Sequence, residues 1–307
     1  MAITLDNNEY LATLTNLCLQ VLTFDNLQFK NRFGAFARQY TKFGDKIACV
    51  NAWVKDGVDY GTGADFNNPF EADEPAVSEA TITTKLKRRY SLQLSEELLR
   101  GAFEDENSLQ MFLTTLIRQL KTKSEIDIYE MIVNDFATIN MGSYANNPHI
   151  VGGIGTPSAV VELYTSIIET AQKMRLPNEN YSLGKVGSVV QTACAEDTRL
   201  ILYVTPELFS KMNTHVNASL YNSSDIALNK WIDEVRVVDV DTNTSVNALG
   251  EMYGYLVTED VYRYSPRIET IREQPNGANL TFNYFYHVWT NAGFTGAGQI
   301  AFIGKAR

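Results

Sequence analysis

SLQMFLTTLIRQLKTKSEIDIYEMIVNDF, residues 108–136, limits what this chain can fold into more than any other stretch. Leu109, Phe112, Leu113, Leu116, Ile117 and Leu120 recur at helical spacing, and the pattern resumes at Ile128, Met131 and Ile132. That is the period of a helix with one apolar face. Lys121, Lys123, Glu125, Asp127 and Glu130 are expected on the opposite face. Asn107 or Ser108 supplies a side-chain oxygen to cap the first turn. The predicted helix is about 40 Å long at 1.5 Å per residue. Helices average roughly 11–12 residues, so this one is a structural axis for the rest of the chain.

Two strands precede it. KIACVNAWV (46–54) alternates loosely, and EATITTKLKRRYSLQLS (79–95) alternates through Ile82, Thr84, Leu86, Arg88 and Tyr90. Between them lies GVDYGTGADFNNPFEADEPA (57–76), with no period of its own. It carries Asp59, Asp65, Glu71, Asp73 and Glu74 and no base, together with Tyr60, Phe66 and Phe70. Structureless loops of this length are uncommon inside compact domains and are usually functional. The stretch is the tip of a long two-stranded excursion whose stem is basic, with Lys85, Lys87, Arg88 and Arg89. Aromatic rings set among acids and glycines have little local core to join, so a neighbouring surface is expected to cover them.

Residues 1–45 contain LATLTNLCLQVL, expected as a short amphipathic helix, and FKNRFGAFARQYTKFG, whose aromatics fall partly at helical spacing around Gly34. They read as an arm or first helix. From about 150 to 250 the texture is α/β. Thr156-Pro157 opens a helix with an apolar face of Val160, Leu163, Tyr164, Ile167, Ile168 and Ala171. RLILYVTPELFSKM repeats the device, with strand 200–204 followed by Thr205-Pro206, and EVRVVDV (234–240) reads as a buried strand. After 250 the chain is β again. Pro275-Asn276-Gly277 signals a turn, Leu280, Phe282, Tyr284, Tyr286 and Val288 share one strand face, and GQIAFIGKAR closes the chain.

The search for chemistry is nearly empty. His149, His215 and His287 belong to no metal or catalytic motif, and no GxSxG elbow or GxxxxGK[ST] loop occurs. Gly152-Gly153-Ile154-Gly155 is read as a plain turn, because Pro157 removes an amide that a phosphate cradle would use. Asp239, Asp241, Asn243 and Ser245 resemble the start of a calcium loop, but Thr244 and Gly250 stand where that loop needs Gly and a bidentate acid. No catalytic, cofactor or metal site is expected. Three cysteines without a CxxC fit a reducing compartment. No positively charged leader and no apolar run of membrane-spanning length is seen, so no membrane partner is expected. Among 307 residues, 26 bases against 36 acids leave a net charge of −10, a weak prior for binding nucleic acid.

The order of parts resembles the major capsid protein of tailed bacteriophages, the Hong Kong 97-type fold. The resemblance rests on GVDYGTGADFNNPFEADEPA with its flanking strands, on SLQMFLTTLIRQLKTKSEIDIYEMIVNDF, on RLILYVTPELFSKM and on NLTFNYFYHVWTNAGF. It implies an α+β chain with an N-terminal arm (1–45), an extended E-loop (46–95), a peripheral domain (96–148 and 251–307) holding the spine helix at about 108–136, and an α/β axial domain (149–250). It also implies an icosahedral or prolate head shell around double-stranded DNA, built from hexamers and pentamers of this chain. Contacts between copies would use Trp53, Tyr60, Phe66, Phe70, Glu71, Asp73, Lys85, Lys87, Arg88 and Arg89. The E-loop of such shells lies across an adjacent subunit. Further partners would be a portal protein, packaged DNA held without sequence-specific binding, and a separate scaffolding protein, since the spine arrives too early to leave room for an internal scaffold. The chain would reside in the virion, and in the host cytoplasm during assembly. Lys55 has no matched asparagine for the intersubunit crosslink of some members and reads as a surface charge.

Two alternatives stand beside this reading. A bacterial encapsulin is a shell of the same fold holding protein cargo. An α+β enzyme would use 57–76 as an active-site lid, but it would need a nucleophile, metal or cofactor constellation that the sequence does not offer.

Overall fold

The predicted long helix forms. In the computed structural model, which describes residues 29–38, 46–54, 74–95, 106–139, 149–220, 231–240, 249–278 and 280–306, helix α1 spans Glu106–Thr138. Its 33 residues run about 50 Å. Ile117, Ile128, Ile132 and Phe136 are buried as the periodicity requires. Asp127 corrects the sequence expectation: it is 2% exposed, on the covered face. Its carboxylate accepts hydrogen bonds from Arg88 Nη1 (3.0 Å) and the Tyr90 hydroxyl, with Lys123 Nζ at 3.4 Å. A carboxylate is tolerated out of water when it is paired and hydrogen-bonded in this way. Leu116, Leu120 and Met131, expected in the apolar stripe, are only half-buried.

The chain divides into two compact units. One comprises the described parts of 29–38, 84–132 and 264–292; the other comprises the described parts of 46–83, 133–263 and 293–307. Long elements run through both. Strands β1 (Lys46–Trp53) and β2 (Ala76–Ser95) pair antiparallel from Lys46↔Thr83 to Trp53↔Ala76. The expected two-stranded excursion is therefore present, and 54–75 joins its strands. Residues 55–73, including Tyr60, Phe66, Phe70, Glu71 and Asp73, lie outside the described residues.

In the first unit, the described residues 29–38 contain a 3-10 turn, Gly34–Phe36, where the sequence left an arm or a first helix open. Asn31 explains the turn: its Oδ1 accepts the Phe33 amide (2.9 Å) and its carbonyl the Gly34 amide (3.2 Å). Phe33 and Phe36 are fully buried, and the rings of Phe29 and Phe33 meet Tyr129 of α1 at 5.8 and 5.4 Å. Numbered along the whole chain, the later elements are β3 (His149–Val151), α2 (Pro157–Arg175), β4 (Lys185–Val186), β5 (Val189–Val190), β6 (Leu200–Val204), α3 (Pro206–Leu220), β7 (Glu234–Val237), β8 (Leu249–Thr258), β9 (Tyr262–Asn276), β10 (Thr281–Phe294) and β11 (Ile300–Ala306). The four-stranded sheet, ordered β1-β2-β10-β9, draws β1 and the start of β2 from the second unit and most of β9 and β10 from the first. On β10, Phe282, Tyr284, Tyr286 and Val288 are buried at every second residue, as alternation predicts. Leu280 does not join them. It is exposed at φ 48°, in the turn where Asn276 Oδ1 accepts the Ala278 amide at 3.1 Å.

The second unit holds a five-stranded mixed sheet, ordered β3-β11-β8-β6-β7. All five residues of interior strand β6 are buried. On one face Leu200, Leu202 and Val204 pack with Val160, Leu163, Ile167, Ala171 and Met174 of α2 and with Leu208 and Met212 of α3. Both helices start as the sequence predicts. Thr156 Oγ1 accepts the Ala159 amide and Thr205 Oγ1 the Leu208 amide, each at 3.3 Å, with proline next in line. On the other face Tyr203 meets Tyr255, and Tyr255 stacks on Phe136 at 4.5 Å. The Gly-rich turn is structural: the Gly152 amide donates to Gly304, and a Cβ on Gly152 would stand 2.8 Å from Leu163 Cδ1.

His149 sits on edge strand β3 beside Phe302, its ring nitrogens buried with no hydrogen-bond partner among the described residues. Burial therefore holds its pKa below the ordinary histidine value. The unfolded chain takes up this proton first as pH falls. The stability tied to neutral His149 is complete above the unfolded value of about 6.5, and is lost on further acidification. Urea titrations at several pH values should show His149→Leu losing less stability than the parent between neutral and mildly acidic pH. Parallel losses would exclude this role.

Candidate assembly surface

The basic stem of the excursion is divided by strand alternation. Arg88 and Tyr90 point from β2 towards Asp127 and are committed within the chain. Burial, then the hydrogen bond from its hydroxyl to Asp127, pushes the Tyr90 pKa up, so its hydroxyl keeps its proton and donates. Two further tyrosine–carboxylate pairs line the same unit. Tyr286 donates to Glu269 (2.7 Å) and Tyr284 to Glu273 (3.3 Å), and burial raises the Glu273 pKa. The inner face is held by polar contacts as well as by apolar burial.

Lys85, Lys87 and Arg89 have the opposite parity on β2 and are exposed. Across the sheet the odd residues of β10, Phe285 and Trp289, turn outward and are half-buried. Lys87 Nζ lies 5.1 Å from the Trp289 ring centroid, the Arg267 guanidinium 5.7 Å from the same ring, and the Arg89 guanidinium 5.3 Å from Phe285. Rings with cations over their faces hold those cations in place by quadrupole attraction. Among the described residues, neither Lys87 nor Arg89 forms an ion pair.

Trp53 belongs to the other unit, at the end of the β1–β2 ribbon opposite Ala76. Its ring N–H is buried with no acceptor among the described residues. The ribbon is anchored by Asn51, whose Nδ2 donates to Gln191 Oε1 at 2.6 Å. Its open face carries Val50 (66% exposed) and Val77 (51%), with Val54 (85%) just beyond β1. β1 is also the edge of its sheet. Exposed valines on an edge ribbon suit a covering surface better than water.

Of the sequence candidates, the structure brings Lys85, Lys87 and Arg89 onto one face, pairs the half-exposed Arg88 with Asp127 and places Trp53 in the other unit. Sequence reasoning missed Phe285, Trp289 and Arg267. The signal for the two rings was present, because assigning even residues of β10 to the core assigns the odd ones to the opposite face. Among the described residues, no group of side chains is arranged to hold a metal ion and no helix is long and apolar enough to cross a membrane.

The model of the Phi29-like phage major capsid protein family matches residues 5–296. The major capsid protein of Bacillus phage PZA is 21% identical over 303 residues, covering 96% of this chain and 63% of the relative. That of Bacillus phage B103 is 22% identical over 297 residues, covering 92% and 60%. The chain thus spans about three fifths of the length of these two curated relatives. Among solved structures, a chain of the Staphylococcus phage Andhra capsid superposes with a TM-score of 0.67 at 10% identity, covering 92% of this chain and 86% of that one. This likeness establishes an α+β phage-capsid fold.

Proposed function

The chain belongs to the Phi29-like phage major capsid protein family, and from that premise we propose that copies of it assemble into the head shell of a tailed phage. The family match over residues 5–296 carries the reading. It favours neither the encapsulin nor the lidded-enzyme alternative. In the proposed assignment, 1–45 is the N-terminal arm, 46–95 the E-loop, 96–148 and 251–307 the peripheral domain and 149–250 the axial domain of a Hong Kong 97-type subunit. The α1 helix serves as the spine. The antiparallel β1–β2 ribbon supports the E-loop assignment, because 54–75 joins its two paired strands.

Hexamers and pentamers of this chain would form an icosahedral or prolate shell. A scaffolding protein, a portal protein and double-stranded DNA held without base recognition are its proposed partners. The site is the virion, with the host cytoplasm the place of assembly. Contacts modest singly become firm when repeated around a closed shell. The aromatic residues of the E-loop are proposed as the clasp.

Sedimentation and negative-stain microscopy of the purified chain test the reading. Hexamers, pentamers or uniform shells support it; a strict monomer at high concentration, alone and with scaffold, sinks it. Replacing Tyr60, Phe66 and Phe70 together by alanine should leave a soluble folded chain and remove at least about nine tenths of the assembled particles, since buried aromatic anchors dominate interface energy. Undiminished shells from the triple variant would rule out the clasp.

A further inference from the structure

On the outer face of strands β2, β10 and β9 in the first unit, an aromatic row lies between two cationic borders. We infer that this face binds single-stranded RNA, with bases on the rings of β10 and phosphates on the cations of β2 and β9. Binding of a single strand there is separate from the shell reading; only the choice of RNA over single-stranded DNA rests on it.

Strand alternation sorts the charges. Asp127 of α1 and Glu269 and Glu273 of β9 accept hydrogen bonds from Tyr90, Tyr286 and Tyr284 on the inner face. The outward positions, alternate residues of 85–93 on β2, 281–289 on β10 and 268–274 on β9, include no acid. Lys87, Arg89 and Arg272 are exposed there. The chain as a whole, at a net charge of −10, repels a polyanion, and a face cleared of acids removes that repulsion locally.

The strand order places β10 between β2 and β9, so its rings are flanked by cations on both sides. Its outward residues Phe285, His287 and Trp289 are half-buried and follow one another at about 7 Å. Sheet surfaces that bind single-stranded nucleic acid combine these two parts, aromatic side chains under the bases and cations along the backbone. In the free chain Lys87 lies over Trp289 at 5.1 Å and Arg89 over Phe285 at 5.3 Å. A base stacked on a ring is held more firmly than an exposed cation over one. An arriving base therefore takes the ring, and the displaced cation, on a long side chain, moves to the adjoining phosphate.

Other polyanions use less of this face. A duplex keeps its bases stacked on each other, and an acidic peptide engages the cations alone, so either leaves the aromatic row idle. Between the two single strands, the proposed place of assembly decides. The host cytoplasm offers transcripts, whereas the proposed genome is double-stranded. Thr270 and Asn283, half-buried on the same face, can pair with a ribose 2′-hydroxyl.

Fluorescence anisotropy of a short labelled oligouridylate with the full, unassembled chain tests the inference. Binding should weaken as salt rises, and in Lys87→Gln/Arg89→Gln the logarithmic salt slope should shrink by about 1.4, for two phosphate contacts at about 0.7 each. Trp289→Ala should weaken binding about ten-fold or more. Ultraviolet irradiation of the unsubstituted chain with the same RNA, followed by peptide mass spectrometry, should place uridine adducts within 285–289. That measurement decides the matter even if a variant misfolds. No binding at low salt, or adducts confined to other segments, would overturn the inference. Oligodeoxythymidylate binding as tightly as the RNA would overturn the assignment to RNA. Duplex DNA or polyglutamate competing as well as unlabelled oligouridylate would assign the face to a duplex or to an acidic protein, and equally overturn it. Sedimentation of the same preparations reads shell formation by itself, so failure of the RNA inference and failure of the shell reading are told apart.

Discussion

Phe136→Ala is expected to cost about 3–5 kcal/mol of folding stability. The ring is fully buried near the C-terminal end of α1. It stacks on Tyr255 at 4.5 Å with only 4° between planes, meets Phe294 edge-on at 5.1 Å and touches Tyr262 at 5.4 Å. Truncation removes the transfer energy of the ring and leaves a cavity among three other rings, which are too rigid to close it. Each lost aromatic pair adds about 0.5–1.5 kcal/mol beyond area burial. One turn of contact is also disturbed, because Tyr262 donates its hydroxyl to Asp135 beside the cavity. Urea denaturation followed by near-ultraviolet circular dichroism reads both the stability and the loss of ring ordering. A loss below about 1 kcal/mol would contradict the packing described.

Gly254→Ala is the second large effect. Gly254 pairs with Val204 of β6 and with Ile303 of β11, at the centre of the five-stranded sheet. A Cβ there would stand 2.2 Å from the Tyr203 carbonyl oxygen and 3.1 Å from Val204 Cα. Both are backbone atoms of a strand buried on its two faces, so no side chain can swing aside to make room. Either the β6–β8 ladder opens or β8 shifts, and the cost is expected at about 3 kcal/mol or more. The variant should yield little soluble protein, with faster amide exchange along β6 and β8 than along α1. Parental stability would show that the strands can separate locally without loss.

The expected assembly phenotype is of another kind. The triple alanine at Tyr60, Phe66 and Phe70 is expected to act on association and not on the fold. Measuring stability and particle yield on the same variant separates the two.

Periodicity alone located the long helix, the ribbon strands, both Thr-Pro helix starts and the buried face of β10. In each case one side of an element faces a core, and burial selects residue type at the repeat of that element. Periodicity left 29–38 open between an arm and a first helix, and Asn31, by satisfying local amides, decides for a tight turn. Leu280 was assigned to a strand face on parity, and the turn at Asn276 takes it out of register.

What the sequence determined by itself is the set of elements and the acidic, basic and aromatic segments whose pattern first pointed to a capsid subunit. Only the tertiary structure decided which charges are paired inside the chain. Asp127 looked like a solvent-side acid until Arg88 and Tyr90 were seen to close over it. Lys87 and Arg89 differ from Arg88 only in parity, yet they end on rings of β10, a strand nearly 200 residues away. Local preferences act over a few residues. Pairing of charges depends on which strands become neighbours, and that is set by the burial of the whole chain.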